Sequence, residues 1–137
     1  MDYTHAETYL LSRPETDKSY PFGPDVAVFK VKNKMFALLA TSGKNGNELG
    51  AEFAGYAFLN LKCDPDEAIM LRDIFPEVRP AYHMSKKHWN SVVLKDSMPE
   101  KEIERLIDRS YALVVKGLKK SERTQLELRY PPDLLYR

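Results

Sequence analysis

The residues of this chain that could do chemistry are concentrated between Arg79 and Lys95. This run, RPAYHMSKKHWNSVVLK, contains two of the three histidines, the only tryptophan and four formal positive charges, and the next carboxylate is Asp96. Cationic side chains interleaved with an aromatic ring are used to grip phosphates and to stack bases. The run is therefore the first candidate for a nucleic-acid contact.

The loop Ser85–His88 is the most exposed part of this run by sequence pattern. Pro80 disfavours a helical conformation of the residue before it, so extended backbone is expected ahead of the loop. Val92–Leu94 is predicted to form the strand that follows the loop. The intervening residues are too polar for a core and too short for an independent helix. The predicted nucleic-acid-binding residues are Arg79, Lys86, Lys87 and His88, joined by Lys30, Lys32 and Lys34 of a preceding hairpin.

The same loop has a purely structural interpretation, which stays open beside the first. Tyr82, His83 and Trp89 would act as loop anchors, with the aromatic rings packed against a sheet and His83 donating to a backbone carbonyl. In this interpretation Trp89 is largely buried and the two lysines are only solvated.

Two other chemistries are considered for the histidines. A zinc site needs three or four protein ligands, and Cys63 is the only further soft ligand besides His83 and His88, so no metal site is predicted. Cys63 could form a nucleophile pair with one of these histidines, because the first turn of a following helix would lower its pKa. Its position between a strand and a capped helix favours a buried hydrophobe instead, and no catalytic residue is predicted.

The composition is that of one globular domain spanning residues 1–137. With 21 basic and 20 acidic residues and a pI near 7.8, the chain lacks the strongly basic character of a generic polyanion binder. Any nucleic-acid surface must therefore be local.

The location predicted by the sequence is cytoplasmic. No run of about 18 uncharged apolar residues is present, and the N-terminus has no basic region followed by an apolar one. A single cysteine is consistent with a reducing compartment. We predict no membrane association, no cofactor and no obligate small-molecule ligand.

The periodicity of the chain predicts an α+β fold. The predicted elements are a helix Thr4–Ser12, strands Val26–Lys32, Met35–Ala40 and Tyr56–Lys62, a helix capped by Asp64, a strand Val92–Leu94, and a long helix after Ser97. Ser97 and Glu100 have the spacing of a capping box. Tyr20 and Phe22 are expected to turn inward, and the glycine-rich stretch 41–55 is expected to be a mobile connection.

Four runs of sequence resemble the MmcQ/YjbR family. They are YPFGPDVAVFKVKNKMFALL from Tyr20, NLKCDPDEA from Asn60, VRPAYHMSKKHWNSVVL from Val78 and IDRSYALVVKGL from Ile107. The resemblance implies a two-layer α/β sandwich in which a mainly antiparallel sheet of about four to five strands is backed by helices, in the order α-β-β-β-α-β-α. This outline is similar to the frataxin-like and type III secretion chaperone-like folds. The resemblance also implies the DNA-binding label that the family carries.

Two functions therefore remain as expectations. The first is a DNA-binding protein that uses the basic-aromatic loop. The second is a protein-interaction or chaperone-like module without catalytic activity, which would use an exposed face or edge of the sheet. A Cys63 enzyme is a minor third possibility.

Overall fold

The computed structural model describes residues 1–44, 46, 49–81 and 84–137. Within them, six strands form one antiparallel sheet, accompanied by five α-helices and a short 3-10 helix, Ala51–Phe53. The strands are β1 (Thr16–Ser19), β2 (Val26–Val31), β3 (Lys34–Thr41), β4 (Ala57–Lys62), β5 (Val78–Pro80) and β6 (Trp89–Val93). The helices are α1 (Tyr3–Leu11), α2 (Pro65–Ile74), α3 (Glu100–Lys116), α4 (Lys120–Arg129) and α5 (Pro132–Leu135).

The predicted fold class is confirmed, with more elements than expected. The spatial order of the strands is β1-β2-β3-β4-β6-β5, so two short strands, β1 and β5, form the edges. Neither was predicted, and the sheet has six strands where about four to five were expected. The helices α4 and α5 extend the predicted order at the C-terminus, where Leu126 and Leu135 are buried in the main core.

One face of the sheet carries the main hydrophobic core. Ala27, Phe29 and Val31 alternate along β2 toward this face, as the period of two in a strand requires. Across from them, α3 buries a stripe at helical spacing that includes Ile103 and Ile107. Burial of this stripe explains why the longest helix of the chain lies across the central strands.

An irregularity in the β2–β3 hairpin adds one large side chain to this core. Phe29 is opposite Ala37 and Lys30 is opposite Met35, so the register skips Phe36. An extra residue in one strand redirects the local side chains. Phe36 and Ala37 are consequently both buried on the helical side, where the Phe36 ring meets the edge of Tyr111 at 5.1 Å.

Among the residues that the structure describes, no α-helix packs on the opposite face of the sheet, and they cover it only in part. Phe58, Val93 and Ala40 form a small second cluster there under Leu49 and Phe53. These two residues come from the glycine-rich stretch that was expected to be a mobile connection. The described residues of that stretch are instead anchored to the sheet by apolar contacts.

Tyr20 and Phe22 were expected to turn inward, and this expectation is wrong. Both side chains are exposed, Phe22 by 70%. They precede β2, and Phe22 lies at the rim of a cavity on the side of the sheet opposite the described α-helices. The inward orientation would have required a second layer at this position.

The predicted start of α3 is also wrong. The helix begins at Glu100 with Pro99 at the cap position, and the cap makes no side-chain hydrogen bond. The residue before a proline avoids the helical region, so Met98 prevents the helix from beginning before Pro99. Ser97 instead donates a hydrogen bond from its hydroxyl to Oε2 of Glu77.

The predicted cap of α2 is confirmed. Oδ1 of Asp64 accepts hydrogen bonds from the backbone N–H groups of Asp66 at 3.1 Å and Glu67 at 3.4 Å, and Pro65 occupies the first helical position. The cap places the start of α2 directly after β4.

We expect Asp64→Ala to lower the free energy of unfolding by about 1 kcal/mol, because two backbone donors lose their acceptor. Chemical denaturation measures this difference. Ser97→Ala is a useful comparison, since it removes a side-chain contact with Glu77 but no helix cap. An Asp64→Ala variant as stable as the parent chain would contradict the capping role.

Candidate nucleic-acid interface

The register of the sheet brings the hairpin and the candidate loop to the same end. Lys34 begins β3 opposite Val31, and the antiparallel β4 ends near it with Leu61 opposite Ala37. At the same end Lys62 is opposite Trp89, the first residue of β6. The hairpin and the loop, which are more than fifty residues apart in sequence, therefore lie at the same end of the sheet.

Lys62 lies between these two segments and was missed by the sequence analysis. Its pairing with Trp89 places both side chains on one face, the face without helices, because directly opposite residues of an antiparallel pair share a side. The alternation of Phe58, Asn60 and Lys62 along a predicted strand was a usable signal for the face. The pairing with Trp89 was not visible, because it depends on a long-range register.

The loop itself is a turn whose backbone is held from outside. The guanidinium of Arg72 on α2 donates to the carbonyl of Lys86 and, from Nε at 2.7 Å, to Oδ1 of Asn90. The backbone N–H of Cys63 donates to the carbonyl of His88 at 2.8 Å. Backbone carbonyls are thus turned inward, while Lys87 and the other turn side chains are exposed.

The loop also has anchors that were not among the predicted ones. Trp89 is partly buried at the start of its strand, and its role as a loop anchor stays a prediction. Tyr82 and His83 lie outside the described residues. Arg72 on α2 and the backbone of Cys63 hold the loop.

Among the predicted cations, Arg79 has partners within the chain. Nη2 of Arg79 is 2.7 Å from Oε1 of Glu52, and its guanidinium lies over the ring of Phe53. Arg79 is opposite Ser91, so it lies two residues further from the loop end than Trp89.

The hairpin lysines differ in whether a carboxylate lies close to them. Nζ of Lys32 is 3.1 Å from Oε1 of Glu15 and donates to Gln125. Lys30 and Lys34 have no carboxylate at ion-pair distance in the part of the chain that the structure describes. In the loop, Nζ of Lys86 donates to the carbonyl of Ala81 at 2.8 Å.

Cys63 does not have the environment of a nucleophile. The residue is buried, and burial, followed by the nearby charge of Glu67, raises the pKa of its thiol to about 11. The expectation that the first turn of α2 lowers this pKa is therefore wrong, because desolvation of the thiolate outweighs it. Cys63 is a neutral thiol at pH 7.

The structure brings together one group of metal-type ligands that the sequence did not indicate. Among the described residues, potential ligand atoms of His5, Glu100 and Glu104 lie within 4.8 Å of one another. His5 already contacts Glu100 at 3.1 Å, and a carboxylate in the first turn of α3 is favoured by the helix dipole. These contacts account for the group without an ion.

Comparison with known proteins identifies relatives along most of the chain. The family model YjbR matches residues 11–113. The chain is 36% identical over 121 residues to "Uncharacterized protein YbdF" of Escherichia coli O157:H7, covering 88% of this chain and 90% of that protein. It is 29% identical over 118 residues to "Uncharacterized protein YjbR" of Escherichia coli K12, covering 86% and 91%.

Two crystal structures share the architecture. Deinococcus radiodurans protein DR2400, with family-model domain DUF419, superimposes with a TM-score of 0.76 at 30% identity, covering 92% of this chain and 88% of that one. A Pseudomonas syringae protein gives 0.73 at 31% identity, covering 82% and 98%. None of the described helices has the length and apolar character needed to cross a bilayer.

Proposed function

Because the chain belongs to the YjbR family, whose sheet and helices it shares, we propose that it is a cytoplasmic nucleic-acid-binding protein. The proposed surface is the end of the sheet where the hairpin and the loop meet. A reducing compartment suits its single, buried thiol.

The observation that carries this proposal is the lysine series across the sheet end. Lys34, Lys62 and the loop lysines come from three different segments that meet at one end of the sheet. Lys62 and Trp89 share the face opposite the α-helices, whereas Lys34, which is opposite the core residue Val31, borders this end from the helical side. Single-stranded nucleic acid is commonly bound by cations that follow the backbone and by aromatic rings that stack on bases. Three convergent segments support such a surface better than one short loop does.

The proposed contacts follow from burial and existing partners. Lys34, Lys62 and Lys87 contact phosphates, and Lys86 joins them by exchanging the Ala81 carbonyl at its Nζ for a phosphate oxygen. His88 and Trp89 contact bases or sugars. Lys30 borders this surface on the uncovered face. Arg79 and Lys32 contribute less, because each must exchange a carboxylate partner for a phosphate.

The salt dependence of binding tests this proposal. If four lysines neutralise four phosphates, the logarithm of the affinity should fall with the logarithm of salt at a slope of about −3.6 for duplex DNA and about −2.8 for single strands. A titration by fluorescence anisotropy at several salt concentrations measures both slopes.

Lys34→Glu with Lys87→Glu is the variant that tests the geometry, since it changes one exposed residue on each of the two segments. We expect each replacement to reduce the slope by about one and to weaken binding several-fold at low salt. Lys101→Glu with Lys120→Glu is the matched control, because it makes the same charge change on α3 and α4. Equal losses in both variants, or no binding by the folded parent chain at low salt, would refute the proposal.

The interaction-module alternative is favoured by one other observation. On α2, Ile69 and Ile74 are each 58% exposed, and Met70 lies beside them. Such a surface suits a partner protein better than nucleic acid. In that case the nucleic-acid titration would be flat, and function would depend on Ile69 and Ile74 instead of Lys34 and Lys87.

A further inference from the structure

The uncovered face of the sheet contains a cavity of about 440 Å³. This volume lies within the range of small-molecule sites, which are mostly apolar with a few polar groups. The apolar lining comes from three strands and two loops. It includes Phe22, Val26, Met35, Leu38, Phe58 and Met84.

We propose that this cavity binds a small amphipathic anion, namely a carboxylic acid with an unbranched apolar chain. The chain lies along β3, and the carboxylate points toward Lys62 and Lys30. This site goes beyond the proposed nucleic-acid function and does not depend on it.

The shape of the cavity favours an extended occupant. Its floor follows β3 from Met35 to Thr41, a distance of about 20 Å at the usual rise per strand residue. Met35 and Met84 lie at the loop end, and thioether side chains adapt to irregular apolar partners. Phe22, at the rim, would bury much of its exposed ring on a bound chain.

The charges around the cavity fix the orientation. Neither lysine is part of the cavity lining, but each is the neighbour of a lining residue at the loop end. Met35 is opposite Lys30, and Asn60 precedes Lys62 by one strand repeat on the same face. Neither lysine has a carboxylate at ion-pair distance within the described ranges. Asp25 lines the opposite end and would repel an anion there.

The cross-strand neighbours of Lys30 and Lys62 determine how strongly each lysine attracts an anion. Asp17 is opposite Lys30 on β1, so part of the positive field of Lys30 is offset. Lys62 is opposite Trp89 and has no acidic cross-strand neighbour. Lys62 is therefore the stronger determinant of anion binding.

A buried polar pair lies under the same end. The hydroxyl of Ser91 donates to Oδ1 of Asn60, and Asn60 forms part of the cavity wall. Both residues are buried. A polar group in an otherwise apolar wall gives a ligand site its orientation and selectivity.

The test uses the full chain and three probes with the same apolar tail: dodecanoate, dodecanol and dodecylammonium. Displacement of anilinonaphthalene sulfonate measures their affinities, and a thermal melt reports binding independently. We expect dodecanoate to bind at least about tenfold more tightly than dodecanol, since a charge-assisted bond is lost in the alcohol. Dodecylammonium should bind most weakly.

Two variants locate the site. Lys62→Gln should weaken dodecanoate by about tenfold and leave dodecanol unchanged, whereas Lys101→Gln on α3 should change neither. Leu38→Trp should abolish binding of all three probes by filling the cavity. Phe22→Trp, at an exposed rim position, provides a fluorescence reporter that does not depend on Leu38→Trp folding correctly.

Three results would overturn the proposal. They are equal affinity for all three probes, unchanged binding in a folded Leu38→Trp variant, and the absence of any probe-dependent signal from Phe22→Trp. None of these outcomes involves nucleic acid, so they are distinct from failure of the proposed function.

Discussion

Asp108→Ala is expected to lower the free energy of unfolding by about 3 to 5 kcal/mol, because it leaves a buried positive charge without its partner. Asp108 lies on α3, and its Oδ1 is 3.0 Å from Nη1 of Arg13, which follows α1. The two side chains are only 11% and 8% exposed. Chemical denaturation followed by circular dichroism measures the effect.

The surroundings of Arg13 explain why the loss should be this large. Its guanidinium lies over the ring of Tyr9, 4.6 Å from the centroid, and its Nε has no hydrogen-bond partner among the described residues. The hydroxyl of Tyr9 also donates to Asp108 at 2.9 Å, and burial together with this bond raises the pKa of Tyr9 to about 12. Removing the carboxylate therefore deprives a buried guanidinium and a half-buried hydroxyl of their shared acceptor.

Glu102→Ala is the matched control, since it removes a carboxylate from an exposed pair with Arg105 on the same helix. Exposed pairs contribute about 0 to 1 kcal/mol. The double variant Arg13→Met with Asp108→Leu should recover most of the stability lost in Asp108→Ala. Similar losses in Asp108→Ala and Glu102→Ala would show that the buried pair contributes no more to the free energy of unfolding than the exposed pair does.

Tyr111→Ala is expected to cost about 3 to 5 kcal/mol, the usual loss when a large buried aromatic side chain is truncated. Tyr111 is 1% exposed, packs edge-on against Phe36, and donates from its hydroxyl to the carbonyl of Pro14 at 2.7 Å. It therefore joins α3, the irregular strand β3 and the segment before β1. Urea denaturation is the measurement.

Tyr111→Phe separates the two contributions of this side chain. It keeps the ring contact with Phe36 and leaves the Pro14 carbonyl without its donor, which should cost about 1 to 3 kcal/mol. If Tyr111→Phe were as damaging as Tyr111→Ala, the hydrogen bond and not the ring would hold these elements together.

Local sequence signals predicted the elements that depend on local physics. The β2–β3 hairpin was predicted with its turn at Asn33 and Lys34, one residue too late. The two turn residues are Lys32 and Asn33, with φ values of 48° and 65°, as a two-residue hairpin turn requires. Asp64 and Pro65 identified the start of α2 for the same reason. Each of these signals involves residues only a few positions apart.

The features that were missed depend on distant partners. The strand β1, with the sequence TDKS, has no apolar alternation and exists because it pairs with β2. Arg72 has an ordinary helix-surface position in sequence, and only the fold brings it to the loop. Capping patterns also fail where a proline intervenes, as at Ser97.

The candidate site shows the same division. The loop was recognised because cations, histidine and tryptophan are adjacent in sequence. The loop lies near the β2–β3 hairpin, with Lys62 between them, because of the strand order and the register. The position of the cavity beside the loop has the same origin. Sequence composition carries no information about either.

The short edge strands limit how this molecule can associate. β1 has four residues with Asp17 and Lys18 at its centre, and β5 has three residues, the last of which is Pro80. Charged side chains and proline at a short edge discourage another chain from adding as a further strand, which is the usual route to edge-to-edge aggregation. A partner protein would therefore recognise side chains on a face of this molecule and not extend its backbone ladder.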